Sequence, residues 1–284
     1  MDIYFDLIAK DDEDYLTDKD LKGKLLPVNN IFNAEREVLD KDLIPAIMPL
    51  LIRNFPHSNW CTTDSGDISG IDKSHKYCNE DHVVITLHGG MIKLLPPEKL
   101  QLAMEMHKRK TGGVSDVRSF VLTDLFDEDP LKVLLNDCRL LDNTYVDVVA
   151  YDQFLEEKII RGYTSPFAVV RPLSLARETI SGNESVERLL DHSGEVRDSQ
   201  VIVYTGGKKE AQRFIDKTVH IKWSTLGVWH PFNLAAFNPE KSQARFLYLG
   251  SISKFGLNGL SDISYEASFV GYHAEIPDIS IAVN

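Results

Sequence analysis

Apolar strand-like runs alternate with amphipathic helix-like runs from residue 83 onward. The strand-like runs cover residues 83–87, 117–123, 145–150, 167–171, 201–204 and 219–223. Helix signals lie between them: Pro96 at a helix start, Asp129 as an N-cap, and Gly112 and Gly162 at helix ends. Such alternation is typical of βα units on a parallel sheet. The pattern predicts an α/β fold with a mostly parallel, doubly wound-like central sheet.

The two ends of the chain have other patterns, which divide it into three segments. Residues 1–82 predict a helical or irregular N-terminal segment, and residues 83–224 the central βα domain. Past residue 224, short apolar runs at 245–249, 264–270 and 278–283 are separated by Gly and Asn without helices between them. Residues 225–284 are therefore predicted to form an antiparallel β extension.

Residues 56–81 form a long polar stretch with almost no apolar periodicity, and we expect a loop there. Loops longer than about 15 residues inside compact domains are usually functional, tied by a metal, or disordered. This one contains His57, Cys61, His75 and Cys78, a set of imidazole and thiol groups that zinc prefers as ligands. Two interpretations stay open: a structural zinc site formed by these four residues, or a polar loop that merely contains them.

Chemically suggestive groups follow the predicted strands, at the sheet edge where ligands of open α/β folds bind. His88 follows the first strand and is a candidate acid or base; Asp124 follows the second and would hold Mg²⁺ or orient His88. Gly206, Gly207 and Lys208 follow the strand at 201–204 and are candidates to bind phosphate through backbone N–H groups and one ammonium. A plain tight turn is the alternative at these glycines, because the spacing matches neither a P-loop nor a dinucleotide fingerprint.

Composition excludes several classes of protein. The longest strongly apolar stretch, residues 43–52, is about half the ~20 residues that a membrane-spanning helix needs. The first residues carry no basic and apolar export signal, and three cysteines are too few for a secreted disulfide scaffold. We therefore expect a cytoplasmic protein that does not contact membranes.

The net charge of −12 is concentrated at the two ends of the sequence. Eight acidic residues lie within residues 1–20, and four acidic but no basic residues follow Lys254. A solvated acidic surface is the simplest interpretation; an acidic face that docks on a basic protein is the sharper one. In either case direct nucleic-acid binding through a broad basic surface is not expected.

Two functional hypotheses follow, and the sequence does not decide whether the protein is an enzyme. The first is a ligand-binding protein or enzyme that acts on a phosphate-bearing small molecule or nucleotide at the strand ends. The second is a non-enzymatic, acidic interaction or inhibitor-type protein that docks on a basic, nucleic-acid-handling partner. Convergence of His88, Asp124 and Lys208 in one pocket would favour the first.

Overall fold

A computed structural model describes ten stretches of the chain. They are residues 25–28, 31–54, 61–111, 120–156, 165–178, 182–220, 225–229, 240–251, 255–259 and 267–272. The predicted strand at 278–283, the glycines at 112 and 162, and both acidic ends of the sequence lie outside them.

The described residues form strands and helices in a mixed order along the chain. The strands are β1 (Leu25–Val28), β2 (Ile44–Pro45), β3 (Cys61–Ile71), β4 (His82–His88), β5 (Phe120–Val121), β6 (Asp147–Ala150), β7 (Phe167–Pro172), β8 (Gly182–Ser185), β9 (Thr225–Trp229), β10 (Gln243–Ser251), β11 (Phe255–Gly259) and β12 (Ala267–Tyr272). The α-helices are α1 (Ile31–Asp40), α2 (Met48–Asn54), α3 (Met91–Leu94), α4 (Pro97–Thr111), α5 (Pro130–Asp137), α6 (Tyr151–Glu156), α7 (Leu173–Glu178), α8 (Ser199–Thr205) and α9 (Lys208–His220). Short 3₁₀ turns cover Leu122–Asp124 and Val186–Leu189.

One mixed, mostly antiparallel sheet runs through the fold. Its main path is β6-β7-β4-β3-β10-β11-β9-β8, and β1, β2, β5 and β12 pair beside that path. The parallel pairings among the described strands are β6 with β7, β9 with β11 and β3 with β12. The prediction of a mostly parallel, doubly wound sheet is therefore wrong. It failed because alternating strands and helices do not fix strand direction, and β4 pairs antiparallel with both its neighbours, β3 and β7.

The largest single correction concerns the stretch predicted as a polar loop. Residues 61–71 of that stretch are β3, which lies in the middle of the sheet between β4 and β10. Nearly every described side chain of β3 is buried, although most are Thr, Ser, Asp or Gly. Because polar and small residues occupy both faces of this strand, its sequence has no apolar alternation to recognise.

A second correction concerns residues 201–204, which were predicted as a strand. They belong to α8, whose N-cap Asp198 accepts hydrogen bonds from the backbone N–H groups of Gln200 and Val201, both at 2.9 Å. The β-branched run favours a strand locally, but the cap and burial on all sides of the helix outweigh that preference. The predicted strand at 219–223 is likewise wrong at residues 219–220, which end α9, and its remainder lies outside the described residues.

Other predicted elements are confirmed. β4, β6 and β7 match the apolar runs at 83–87, 145–150 and 167–171. Asp129 caps α5, accepting a hydrogen bond from the Leu131 N–H at 3.1 Å. In the segment 225–284, the strand predicted at 245–249 is confirmed as part of β10, which pairs antiparallel with β3, β5 and β11 in the interior of the sheet. The segment is not purely antiparallel, because β11 pairs parallel with β9 and β12 pairs parallel with β3.

Both faces of the sheet are covered by helices, so the core has two layers. Phe167 and Val169 of β7 pack with α2, α8 and α9 in one layer. Ala168 and Val170, which alternate with them, pack with α3, α4 and α5 in the other. Within the described part of the chain, no helix is both long and apolar enough to cross a lipid bilayer.

Candidate functional site

His88 lies at the end of β4, as predicted, but its side chain is a buried structural group. Its exposed fraction is 0%, and Ser65 Oγ lies 2.9 Å from Nδ1 while the Val203 carbonyl oxygen lies 3.0 Å from Nε2. The Phe167 ring covers the imidazole at a centroid distance of 4.6 Å. Burial lowers the pKa of His88 to about 3, so the ring is neutral at physiological pH. Both ring nitrogens are occupied by partners inside the protein.

Asp124 closes the 3₁₀ turn after β5 and pairs with Lys241 at 3.2 Å. Among the residues that the structure describes, no group of three or more His, Cys, Asp or Glu side chains is arranged to hold a metal ion. The magnesium role of Asp124 stays a prediction.

The four predicted zinc ligands are only partly described. His57 lies outside the described residues, and of Cys61 only the backbone, at the start of β3, is described. His75 is exposed and pairs with Asp81 at 2.6 Å, while the half-buried Cys78 thiol lies 3.7 Å from the Glu80 carbonyl oxygen. Burial raises the pKa of Cys78, which favours the thiol over the metal-binding thiolate. The zinc site stays a prediction.

The predicted phosphate loop is the C-terminal cap of α8. Gly206 (φ 94°) and Gly207 (φ 141°) donate their N–H groups to the Val203 and Ile202 carbonyls at 3.2 and 2.9 Å. These N–H groups therefore complete a helix end. Lys208 is exposed at the first residue of α9. The His88 ring contacts α8 through the Val203 carbonyl but is buried in the core, whereas Lys208 is exposed to solvent. The two side chains therefore do not face one pocket.

The face of the sheet beneath α8 carries two rows of buried side chains that the sequence interpretation missed. In one row Ser65, His88 and Phe167 lie directly opposite one another on β3, β4 and β7. In the other, Arg245, Asp67 and Thr86 lie opposite one another on β10, β3 and β4. The recognisable signal was the spacing of Ser65, Asp67 and Ser69, which places polar groups on one face of a strand.

Asp67 is the centre of the second row. Its carboxylate accepts hydrogen bonds from the Thr86 hydroxyl at 2.6 Å and from the Tyr204 hydroxyl, and Arg171 lies 3.9 Å away. Burial raises the pKa of Asp67, while the Arg171 guanidinium and the two hydroxyl donors oppose that rise. Arg171 also donates to Thr86 at 3.1 Å. This network of buried polar side chains joins three strands to α8.

Asp64 fixes the turn that follows β4. Its two carboxylate oxygens accept hydrogen bonds from the N–H groups of Gly90 at 2.7 Å and Ile92 at 2.8 Å. Burial raises its pKa to about 6, and the backbone donors partly offset that effect. Asp64 thus holds the start of α3.

An exposed aromatic patch lies on the turn between α5 and β6. We name it the Tyr145 surface and define it by Tyr77, Arg139, Leu141, Asp142 and Tyr145. Arg139 and Tyr145 are joined by an antiparallel bridge, and Tyr145 and Leu141 are 63% and 37% exposed. The Tyr77 hydroxyl lies 3.4 Å from Cys138 Sγ, and Tyr145 is close enough to Tyr77 to interact with it electrostatically. The patch therefore combines Arg139, Leu141 and Tyr145 of the turn with Tyr77, which lies between β3 and β4 and is partly buried against the core.

The base of the Tyr145 surface is anchored to the core. Lys93 of α3 donates to Thr144 Oγ1 at 2.8 Å and pairs with Asp142 at 3.3 Å. Leu140 is buried, and its N–H group donates to the Thr144 carbonyl at 2.9 Å. The exposed side chains of the Tyr145 surface are therefore carried by a turn whose backbone is hydrogen-bonded and whose Leu140 is buried.

Comparison with known proteins identifies the fold. No protein family model matches this sequence, and no curated protein matches it significantly. The structure is similar to a solved one from work on the accommodation of massive sequence variation in Nanoarchaeota by the C-type lectin fold, with a TM-score of 0.57 and 20% identity over 88% of this chain and 97% of that chain. This chain has a C-type lectin-like fold.

The C-type lectin-like fold overturns the function expected from a doubly wound sheet. A phosphate- or nucleotide-binding enzyme with its site at parallel strand ends has no counterpart here, because the sheet is mostly antiparallel and Gly206 and Gly207 cap a helix. The alternative, an acidic protein docking on a nucleic-acid-handling partner, rested on the two acidic ends, which lie outside the described residues. A basic protein partner stays a prediction.

Proposed function

We propose that this chain is a binding protein in which a buried polar scaffold presents the Tyr145 surface to a protein ligand. The observation that carries the proposal is the exposure of Tyr145 and Leu141 on a turn that the buried Leu140 anchors in the core. Tyrosine and arginine are the residues that most often dominate binding energy at protein interfaces, because they bury much area at a modest entropic cost.

The division between scaffold and surface supports a binding role. His88, Asp64 and Asp67 are buried and bonded within the protein, so these groups serve the frame of the fold. The solved structural neighbour accommodates massive sequence variation in the same type of fold. A fold whose interior is fixed by its own polar network can change exposed side chains at little cost in stability.

The location and partner class belong to the same proposal. Two free thiols, Cys78 and Cys138, suit the reducing cytoplasm in which we place the protein. We propose a protein ligand; the anionic small molecule expected from the sequence stays a prediction that the same experiment examines.

Co-purification followed by mass spectrometry tests the proposal with a matched pair of variants. The first carries Tyr145→Ala and Leu141→Ser on the Tyr145 surface. The second carries Leu39→Ser and Leu102→Ser, at exposed leucines of α1 and α4. We expect one protein to be recovered with the wild type and the second variant, and its dissociation constant to rise by about 30-fold or more in the first variant. Equal recovery with all three proteins, or a bound small molecule alone, would contradict the proposal.

A further inference from the structure

Glu35 is a buried acid without a hydrogen-bond partner. It lies on α1 with an exposed fraction of 0%, and neither carboxylate oxygen has a partner among the described residues. α1 packs against β1, β12 and α4, and Val38 on the same helix belongs to the core. An ionised carboxylate buried without a partner is strongly unfavourable, so α1 packs best when Glu35 is neutral.

Two further acids act on Glu35 from the elements behind α1. Asp64 of β3 and Glu98 in the first turn of α4 both repel a negative charge on Glu35. Burial is the largest effect, and together the three raise the pKa of Glu35 well above its usual range. The Gly90 and Ile92 N–H groups donate to the Asp64 carboxylate, so these two donors do not compensate a charge on Glu35.

Lys93, which acts on Asp64, and Lys99, the residue after Glu98, bond other groups. The Lys93 ammonium acts on Asp64 but bonds Thr144 and Asp142. The Lys99 ammonium donates to the Leu125 carbonyl at 2.7 Å and lies 4.5 Å from the centroid of the Phe126 ring.

α1 itself and the strands packed against it supply no compensating charge among the described residues. On α1 itself, Arg36 lies over the Phe32 ring and Glu37 pairs with Lys41. The segments of β1, β2 and β12 read LLPV, IP and ASFVGY, which contain no acidic or basic side chain apart from the Tyr272 phenol. An ionised Glu35 thus has Asp64 and Glu98 as its charged neighbours and no described counter-ion.

We propose that α1 is a proton-controlled clasp, which stays packed on α4 and β12 while Glu35 is protonated and loosens when Glu35 ionises. The pKa of Glu35 is higher in the packed state than in the loosened state, so the stabilisation is complete at acidic pH. It is lost as pH rises from the ordinary glutamate range through the raised value. This device does not depend on the binding proposal, because Glu35 is not part of the Tyr145 surface.

Hydrogen exchange of the α1 amides at residues 31–40 tests the clasp in the full chain. Protection factors, which correct for the pH dependence of intrinsic exchange, are measured from about pH 5 to pH 9, a range that starts just above the ordinary glutamate pKa. We expect wild-type protection of α1 to fall as pH rises, by about tenfold per pH unit at most, the limit for one proton. In Glu35→Gln the decline at pH values well above the Asp64 pKa of about 6 disappears, because the amide cannot ionise.

Two further variants separate titration from packing. Glu37→Gln makes the same acid-to-amide change at a partly exposed position of the same helix and keeps the wild-type profile. Glu98→Gln removes one repelling charge, so the decline becomes smaller and ends at lower pH even if Glu35→Gln folds poorly. A wild-type profile that is flat with pH, or one that Glu37→Gln flattens as fully as Glu35→Gln, overturns the proposal.

Discussion

The Tyr204 hydroxyl donates a hydrogen bond to the Asp67 carboxylate, joining α8 to the central strand β3 across 137 residues of sequence. Both side chains are buried, and Arg171 and Arg245 contribute positive charge near the same carboxylate. The bond ties the helix layer to the middle of the sheet. It also supplies one of the donors that make a buried Asp67 tolerable.

Removing that donor tests the role of the network in stability. Tyr204→Phe keeps the ring but leaves one carboxylate oxygen of Asp67 without its hydroxyl partner. We expect the free energy of unfolding, measured with guanidinium chloride, to fall by about 1–3 kcal/mol. Tyr145→Phe is the matched control, because its hydroxyl is on an exposed side chain, and its effect should stay within about 0.5 kcal/mol. Equal effects of the two variants would show that the network does not stabilise the fold.

His88 should give the fold a specific sensitivity to acid. Its pKa is lowered to about 3 by burial, from an ordinary value of 6.5, so the unfolded chain binds this proton first as pH falls. Stability linked to His88 is therefore complete above about 6.5 and is lost as pH falls toward about 3. His88→Gln cannot gain the proton, so its unfolding free energy should decline less over this interval than that of the wild type, as measured by urea unfolding at each pH. Parallel curves for the two proteins would assign the acid sensitivity to other groups.

Strong local signals in the sequence predicted part of the fold correctly. The apolar runs of β4 and β7 are buried on both faces, and such runs are recognisable without knowing their partners. Asp129 is equally local, because an N-cap bonds backbone groups two residues away. Strand direction is not local, and it decided the fold class.

The elements that sequence reasoning missed depend on distant partners. β3 is stable as a buried polar strand because Asp67 finds Thr86 and Tyr204, and Thr63 donates to the Leu247 carbonyl at 2.8 Å. α8 forms from a β-branched run because Asp198 caps it and all of its residues are buried. The role predicted for His88 depended on distant residues in the same way. Its position at a strand end was predicted correctly, but its partners Ser65 and Val203, which are far away in the sequence, make it a structural group.

Gly90 connects the buried scaffold to the Tyr145 surface, and a matched pair of glycine substitutions tests that connection. Gly90 has φ 107°, and a Cβ added there would lie 2.6 Å from Leu140 Cδ1, at the base of the turn that carries Tyr145. Gly194 has φ 84° with nothing within 4 Å of an added Cβ, so Gly194→Ala introduces backbone strain alone, about 1–2 kcal/mol. Gly90→Ala adds steric overlap with a buried leucine, and we expect a further loss of about 1–3 kcal/mol in unfolding free energy.

The same substitution should also affect binding. Because Leu140 must shift to relieve that overlap, Gly90→Ala should lower the affinity for the ligand recovered through the Tyr145 surface, whereas Gly194→Ala should leave that affinity unchanged. Thermal unfolding and titration of that ligand measure the two effects separately, and equal losses of stability from both substitutions would show that the contact between residue 90 and Leu140 does not constrain the turn.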